Sequence, residues 1–130
     1  MNKEYDLEER TFQFAKDCRL TIKRIKKNIT NISDCKQLIR SSGTVGANYI
    51  EANESLSKKD FIYRIKVCRK EAKESVYWLR LLLTDKMNQH NELENLKQEA
   101  TELKKIFSAI INNSGSVSYT HLTLPTKRIV

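Results

Sequence analysis

Glycine and proline are scarce in this sequence, with three Gly and one Pro among 130 residues. A sheet protein of this length would need more turn residues, so the scarcity argues against one. Apolar residues make up 39% of the chain and charged residues 31%. These proportions fit one all-helical domain, large enough to bury a core without disulfides or metals.

Cysteine is limited to three widely spaced residues, Cys18, Cys35 and Cys68. The chain has no Cys-x-x-Cys pair and no histidine close to a cysteine, so we expect reduced, buried thiols and no metal or other cofactor. No apolar run reaches membrane-spanning length, and the first ten residues lack the apolar core of a signal peptide. These absences predict a cytoplasmic protein without a membrane partner.

Acidic residues are outnumbered, 16 against 24 Lys and Arg, which gives a formal charge of +8. Such an excess permits attraction to nucleic acid or to an anionic surface. Five cations form a nearly aligned stripe on the first predicted helix: Lys16, Arg19, Lys23, Lys26 and Lys27. We predict that this stripe contacts nucleic-acid phosphates. The alternative is a solvated face that serves only solubility.

Apolar residues recur at three- and four-residue steps and predict four helices, over about residues 6–27, 34–54, 58–86 and 92–112. Asp6 and Ser57 are expected to cap the first and third helices, and Ser33 or Asp34 the second. Ile29 and Leu56 extend the apolar faces of the first and second helices. Amphipathic helices joined by short connections predict an all-α fold, an antiparallel up-and-down four-helix bundle.

A run of small residues interrupts the second helix, in the segment QLIRSSGTVGANYIEA (residues 37–52). Glycine costs roughly 1 kcal/mol relative to alanine inside a helix, so Gly43 and Gly46 need a compensating reason. Close approach of another backbone is the interpretation we favour. A short break between two helices is the alternative.

Several apolar residues fall outside the core stripes, and the third predicted helix is apolar on two sides. Such surfaces indicate burial against another subunit, so we predict a homo-oligomer. The predicted interface contains Phe12, Leu20, Tyr63, Val67, Tyr77, Trp78 and Leu81. Base stacking on Tyr63, Tyr77 and Trp78 is the alternative role for these aromatic residues.

Charged and polar residues on the second and third helices lack the pattern of a metal or catalytic site. The Glu-x-x-Glu pairs, at residues 51 and 54 and at residues 71 and 74, lack the histidine that di-metal sites in helix bundles use. The possible nucleophiles Ser41, Ser42 and Cys68 have no general base nearby. We therefore predict no metal site, no catalytic residue and no enzyme activity. A structural polar network that fixes helix register is expected from Arg40, Asn48, Glu51, Glu71 and Glu74.

The composition changes at residue 114, where the segment SGSVSYTHLTLPTKRIV begins. It holds the only proline and no acidic residue, and it continues no helical period. We interpret residues 1–113 as the bundle domain and residues 114–130 as a non-native or disordered tail. A native tail that pairs with a partner is the alternative. Without Lys127 and Arg128 of this segment the net charge is still +6.

Three segments together carry a family resemblance: residues 37–52, SKKDF (residues 57–61) and RKEAKESVYWLRLL (residues 69–82). Over residues 5–112 the chain resembles the four-helix bundle family named for intervening sequences in bacterial 23S ribosomal RNA. The resemblance implies a basic cytoplasmic bundle that assembles into a ring, a homo-pentamer. The matching positions look structural: Arg40, Ser41, Ser42, Val45, Asn48, Glu51, Ala52, Phe61, Glu71, Glu74, Trp78 and Leu79.

These observations predict a non-enzymatic, oligomeric, basic bundle that binds structured RNA with little sequence specificity. Two alternatives stay open. The related accessory proteins of diversity-generating retroelements imply a subunit that binds a reverse transcriptase. The other alternative is a protein-interaction scaffold with no nucleic-acid role.

Overall fold

A computed structural model of the chain describes residues 6–114. These residues form four α-helices and contain no strand, which confirms the all-α prediction. The helices are α1 (Leu7–Arg24), α2 (Ile32–Asn53), α3 (Lys58–Leu82) and α4 (His90–Ser114). The predicted tail lies, after Ser114, outside the described residues.

Each helix packs against its neighbours in sequence, and α1 also packs against α4, so the four close into a bundle. Contacts run in opposite directions along neighbouring helices. Arg10, near the start of α1, donates a hydrogen bond to Glu99 in the middle of α4. Arg24, at the end of α1, donates a hydrogen bond to Gln89, which lies just before α4. The same reversal relates α1 to α2 and α2 to α3. The bundle is therefore antiparallel, with an up-and-down order.

The core lies along the bundle axis and is built from the predicted apolar stripes. Every helix contributes, because three- and four-residue steps bring successive side chains to one face. Among the large side chains that are essentially inaccessible to solvent are Phe14, Leu38, Val45, Ile65, Leu79, Leu93, Leu103 and Phe107. The rings of Tyr49 and Phe107 meet at a centroid distance of 6.2 Å, which links α2 to α4 across the core.

The first helix ends at Arg24, three residues earlier than predicted. Asparagine side chains compete with the helix for backbone groups in the next segment. Asn28 Oδ1 accepts from the Thr30 and Asn31 amides, and Asn31 Nδ2 donates to the Lys26 carbonyl at 3.1 Å. Ile29, which the apolar period had placed on the core face, is 91% exposed for this reason.

Two of the predicted caps are confirmed and one is wrong. The Asp6 side chain accepts a hydrogen bond from the Glu9 amide, and the Ser57 side chain accepts one from the Asp60 amide, each at 3.1 Å. The second helix begins at Ile32, before Ser33, with Asn31 in the cap position and no capping hydrogen bond from the Asn31 side chain. Since α2 ends at Asn53, Leu56 lies beyond it and is 98% exposed.

The small residues of α2 lie within one uninterrupted helix, so the alternative of a helix break is wrong. A Cβ on Gly46 would lie 3.0 Å from Thr11 Oγ1 and 3.3 Å from Thr11 Cβ. Gly46 therefore permits the close approach of α1 that the sequence predicts. A Cβ on Gly43 would meet only the end of the Arg19 side chain, at 3.1 Å.

Asn88 joins the two connections at one end of the bundle. Its Oδ1 accepts from the Lys26 amide and its Nδ2 donates to the Lys26 carbonyl, both at 3.1 Å. We expect Asn88→Ala to lower the free energy of unfolding by about 1 kcal/mol, because two solvent-exposed hydrogen bonds are lost. Urea denaturation measures this change. The exposed Asn112→Ala is the matched control, and an equal loss there would contradict the role given to Asn88.

Candidate nucleic-acid interface

The outer surface of α1 brings together three of the five predicted phosphate-binding residues. Lys16, Arg19 and Lys23 line one shallow depression with Phe12 and Leu20. We call these five residues the α1 basic surface. Two residues predicted for a subunit interface, Phe12 and Leu20, thus lie between cations predicted to bind RNA. The two predicted roles compete for this surface.

The cations of the α1 basic surface have no acidic partner among residues 6–114. No Asp or Glu stands three or four residues from Lys16, Arg19 or Lys23, the spacings that pair side chains along a helix. None of the three forms an ion pair with a carboxylate of residues 6–114. The nearby Asp17 instead accepts a hydrogen bond from Gln13 Nε2 at 2.9 Å. Positive charge is therefore left uncompensated on this surface.

Arg19 also has a packing role that the sequence did not reveal. Its Nη1 donates to the Ala15 carbonyl at 3.1 Å and its Nη2 to the Ile39 carbonyl at 3.2 Å. The guanidinium thus bridges α1 and α2 over Gly43. Within the α1 basic surface, Lys16 and Lys23 are therefore the two cations whose ammonium groups make no hydrogen bond or ion pair with residues 6–114.

Lys26 and Lys27 lie beyond the end of α1, so the prediction that all five cations share one helix is wrong for these two residues. The Lys27 ammonium donates to the Ile22 carbonyl, which belongs to the last turn of the helix. A cation there interacts favourably with the helix C-terminus. Lys26 is held by its backbone to Asn88, and its side chain is exposed.

A second basic surface lies between α3 and α4. Its cations are Lys70, Lys73 and Arg80 from α3 and Lys104 from α4, and they surround Tyr77. The five-residue stripe predicted from the sequence contains none of these four cations. Lys70, Lys73, Tyr77 and Arg80 follow one another at steps of three and four residues, so the sequence could have placed them on one face of α3. Lys104 belongs to α4 and reaches this surface only because the two helices pack together.

The predicted polar network is present around Arg40, without all of its members. Arg40 pairs with Glu71 at 3.2 Å and also with Glu74. Asn48 is not part of this network; its Oδ1 accepts a hydrogen bond from Arg64 Nη1 at 3.0 Å. Glu51 is exposed, and its backbone carbonyl rather than its carboxylate accepts a hydrogen bond.

The predicted interface residues differ in how far they reach the surface. Phe12, Leu20, Tyr63 and Tyr77 are 40% to 60% exposed. Val67, Trp78 and Leu81 are half-buried within the protomer. Trp78 Nε1 donates to Glu74 at 3.1 Å, so this ring is held by its own chain.

The three cysteines are buried in the core. Burial raises the pKa of Cys18 and of Cys68 to about 12, and it also raises the pKa of Cys35. We expect all three thiols to react slowly with a disulfide reagent at pH 8, because the thiolate is the reactive form. Absorbance of the released thiol, before and after unfolding in guanidinium, measures this. Rapid labelling of the folded protein would contradict it.

No three His, Cys, Asp or Glu side chains of residues 6–114 group together as metal ligands. No helix among the same residues combines the length and apolar composition needed to cross a membrane.

Comparisons with known proteins agree with the fold. No curated protein matches the chain. One solved structure that is similar to this chain is that of a Bacteroides thetaiotaomicron protein of unknown function, from the S23 ribosomal protein family. Its sequence is 30% identical, the match covers 80% of this chain and 96% of that one, and the TM-score is 0.68. The model of the 23S rRNA-intervening sequence protein family matches residues 3–109. The chain therefore belongs to the 23S rRNA-intervening sequence protein family.

Proposed function

We propose that this protein is a non-enzymatic bundle that binds structured RNA through phosphate contacts on the α1 basic surface. The observation that carries the proposal is the pair Lys16 and Lys23, exposed on one face of α1 two turns apart, without an acidic partner in residues 6–114. Cations in this state attract a polyanion and release its counterions on binding.

The contacts would be made to the backbone of the RNA rather than to its bases. Lysine presents a flexible point charge, which suits phosphate oxygens and carries little sequence information. Membership in a family named for 23S rRNA intervening sequences makes a structured RNA the first ligand to test.

The non-enzymatic part of the proposal draws support from the nucleophiles that the sequence offers. Ser41 Oγ lies 2.8 Å from Ser75 Oγ in a buried contact between α2 and α3. Ser42 is buried as well, and the thiols are held protonated by burial. These groups are committed to packing.

We also propose a ring-forming homo-oligomer, with a pentamer as the expected size. Exposed apolar residues on two different helices, outside the α1 basic surface, support it: Ile50 on α2 and Tyr63 on α3. A ring needs two different surfaces that meet head to tail, rather than one surface that meets itself. Light scattering at micromolar concentration tests the assembly, and a mass of only 15.2 kDa would contradict it.

Fluorescence anisotropy of a labelled, blunt RNA hairpin tests the proposed function. We expect micromolar or tighter binding at low salt and much weaker binding at moderate salt, because phosphate contacts are screened. Absence of binding at low salt would contradict RNA binding. It would leave a protein-interaction scaffold or a reverse transcriptase subunit as the role to examine.

A further inference from the structure

A groove between α3 and α4 has the charge and the shape of a second RNA site. It is open to solvent, and its volume is about 430 Å³. Lys70, Lys73, Arg80 and Lys104 supply positive charge, and Tyr77 and Val76 supply apolar surface. We call it the α3–α4 groove.

The acidic residue in the lining does not neutralise these cations. Glu74 pairs with Arg40 of α2 and also accepts from Trp78 Nε1. Lys73, Arg80 and Lys104 have no Asp or Glu three or four residues away on their own helices. The groove therefore presents a net positive surface.

Tyr77 is exposed and held in place at the same time. Its side chain is 52% exposed, and its ring meets the Trp78 ring at a centroid distance of 4.9 Å and an angle of 74°. Trp78 is itself fixed by its hydrogen bond to Glu74. Edge-to-face packing of this kind orders an aromatic ring, so little entropy remains to be lost when a base stacks on it.

Four cations around a positioned tyrosine match the chemistry of an unpaired nucleotide. Phosphates satisfy the cations, and a base covers the ring. A second copy of the chain would instead bury these cations away from water, at a cost that only well-placed carboxylates could offset. The interface prediction for Tyr77 is thus less consistent with its surroundings than base stacking is.

We propose that the α3–α4 groove, which lies across the bundle from the α1 basic surface, binds an unpaired segment that extends from the structured part of the RNA. In this arrangement Tyr77 stacks on a base, and Lys73, Arg80 and Lys104 contact the flanking phosphates. The inference rests on the proposed function, because it requires RNA as the ligand. It adds a preference for RNA that carries an unpaired segment.

The test compares two labelled probes, the blunt RNA hairpin and the same hairpin with a single-stranded uridine extension of about twelve nucleotides, long enough to pass around the bundle and fill the groove. Anisotropy titrations with the full chain give the affinity for each. We expect the extension to tighten binding by about tenfold through stacking and added phosphate contacts. Tyr77→Ala should remove most of this gain, and Tyr77→Phe should keep it, because the ring and not the hydroxyl stacks.

The outcomes separate the two proposals. Binding of the blunt hairpin with no gain from the extension would overturn this inference and leave the proposed function standing. No binding of either probe would overturn both. Equal losses in Tyr77→Ala and Tyr77→Phe would overturn base stacking. A lower assembly mass for Tyr77→Ala in light scattering, with thermal melting unchanged, would also overturn it by assigning Tyr77 to a subunit interface.

Discussion

Replacing Lys16 and Lys23 with glutamate is expected to weaken binding of the blunt RNA hairpin by about a hundredfold at low salt. Each substitution removes an attraction to phosphate and adds a repulsion of similar size. Each of these four terms is worth about 0.7 kcal/mol between solvated charges, and together they reach about 2.8 kcal/mol, about a hundredfold in affinity. Both side chains are exposed and make no ion pair with residues 6–114, so the fold should tolerate the change.

The matched control is Lys36→Glu with Lys105→Glu. These exposed lysines lie on α2 and α4, outside the α1 basic surface and the α3–α4 groove, and their reversal changes the net charge by the same amount. We expect a loss of less than about fivefold, from the weaker overall field. Equal losses in the two double variants would mean that net charge, rather than the α1 basic surface, determines RNA binding.

Gly46→Leu is expected to lower the free energy of unfolding by about 2 kcal/mol. The new side chain would press on Thr11, whose Oγ1 donates to the Leu7 carbonyl at 2.8 Å and is therefore not free to turn away. Overpacking of this kind costs about 3 kcal/mol, and the higher helix propensity of leucine returns about 0.8 kcal/mol. Urea denaturation measures the difference.

Gly43→Leu is the control for this prediction. Only the flexible end of Arg19 faces Gly43, so the guanidinium moves aside and α1 stays in place. We expect a change smaller than about 1 kcal/mol in either direction, because the lost Arg19 contacts are exposed and the helix propensity improves. If Gly43→Leu lowered the free energy of unfolding as much as Gly46→Leu does, this would contradict the account that only Gly46 lies at a close contact with the α1 helix.

Much of the fold could be predicted because helical periodicity is a local property of the sequence. Phe14, Val45, Leu79 and Phe107 all lie on predicted apolar faces and are buried. The helix ends were less predictable, as Ile29 illustrates. Its spacing continues the α1 stripe, but hydrogen bonds from Asn28 and Asn31 end the helix first, and side-chain competition of this kind has no periodic signal.

The candidate site was predictable only where its residues share one helix. Lys16 and Lys23 are recognisable from their spacing, since a helix places them on one face. Lys104 is distant in sequence from Tyr77, and only the packing of α4 on α3 brings them to one groove. The packing role of Arg19 was likewise hidden, because Ile39 and Gly43 belong to another helix.

Phosphate contact by Lys16 and Lys23 is tested most directly by the slope of log affinity for the blunt hairpin against log salt concentration. Each phosphate contact contributes about 0.9 to this slope on a duplex. We predict a steep fall for the natural sequence and a slope shallower by about 2 for Lys16→Gln with Lys23→Gln, which removes both charges without adding repulsion. An unchanged slope in the double variant, or an affinity that does not depend on salt, would contradict phosphate binding at the α1 basic surface.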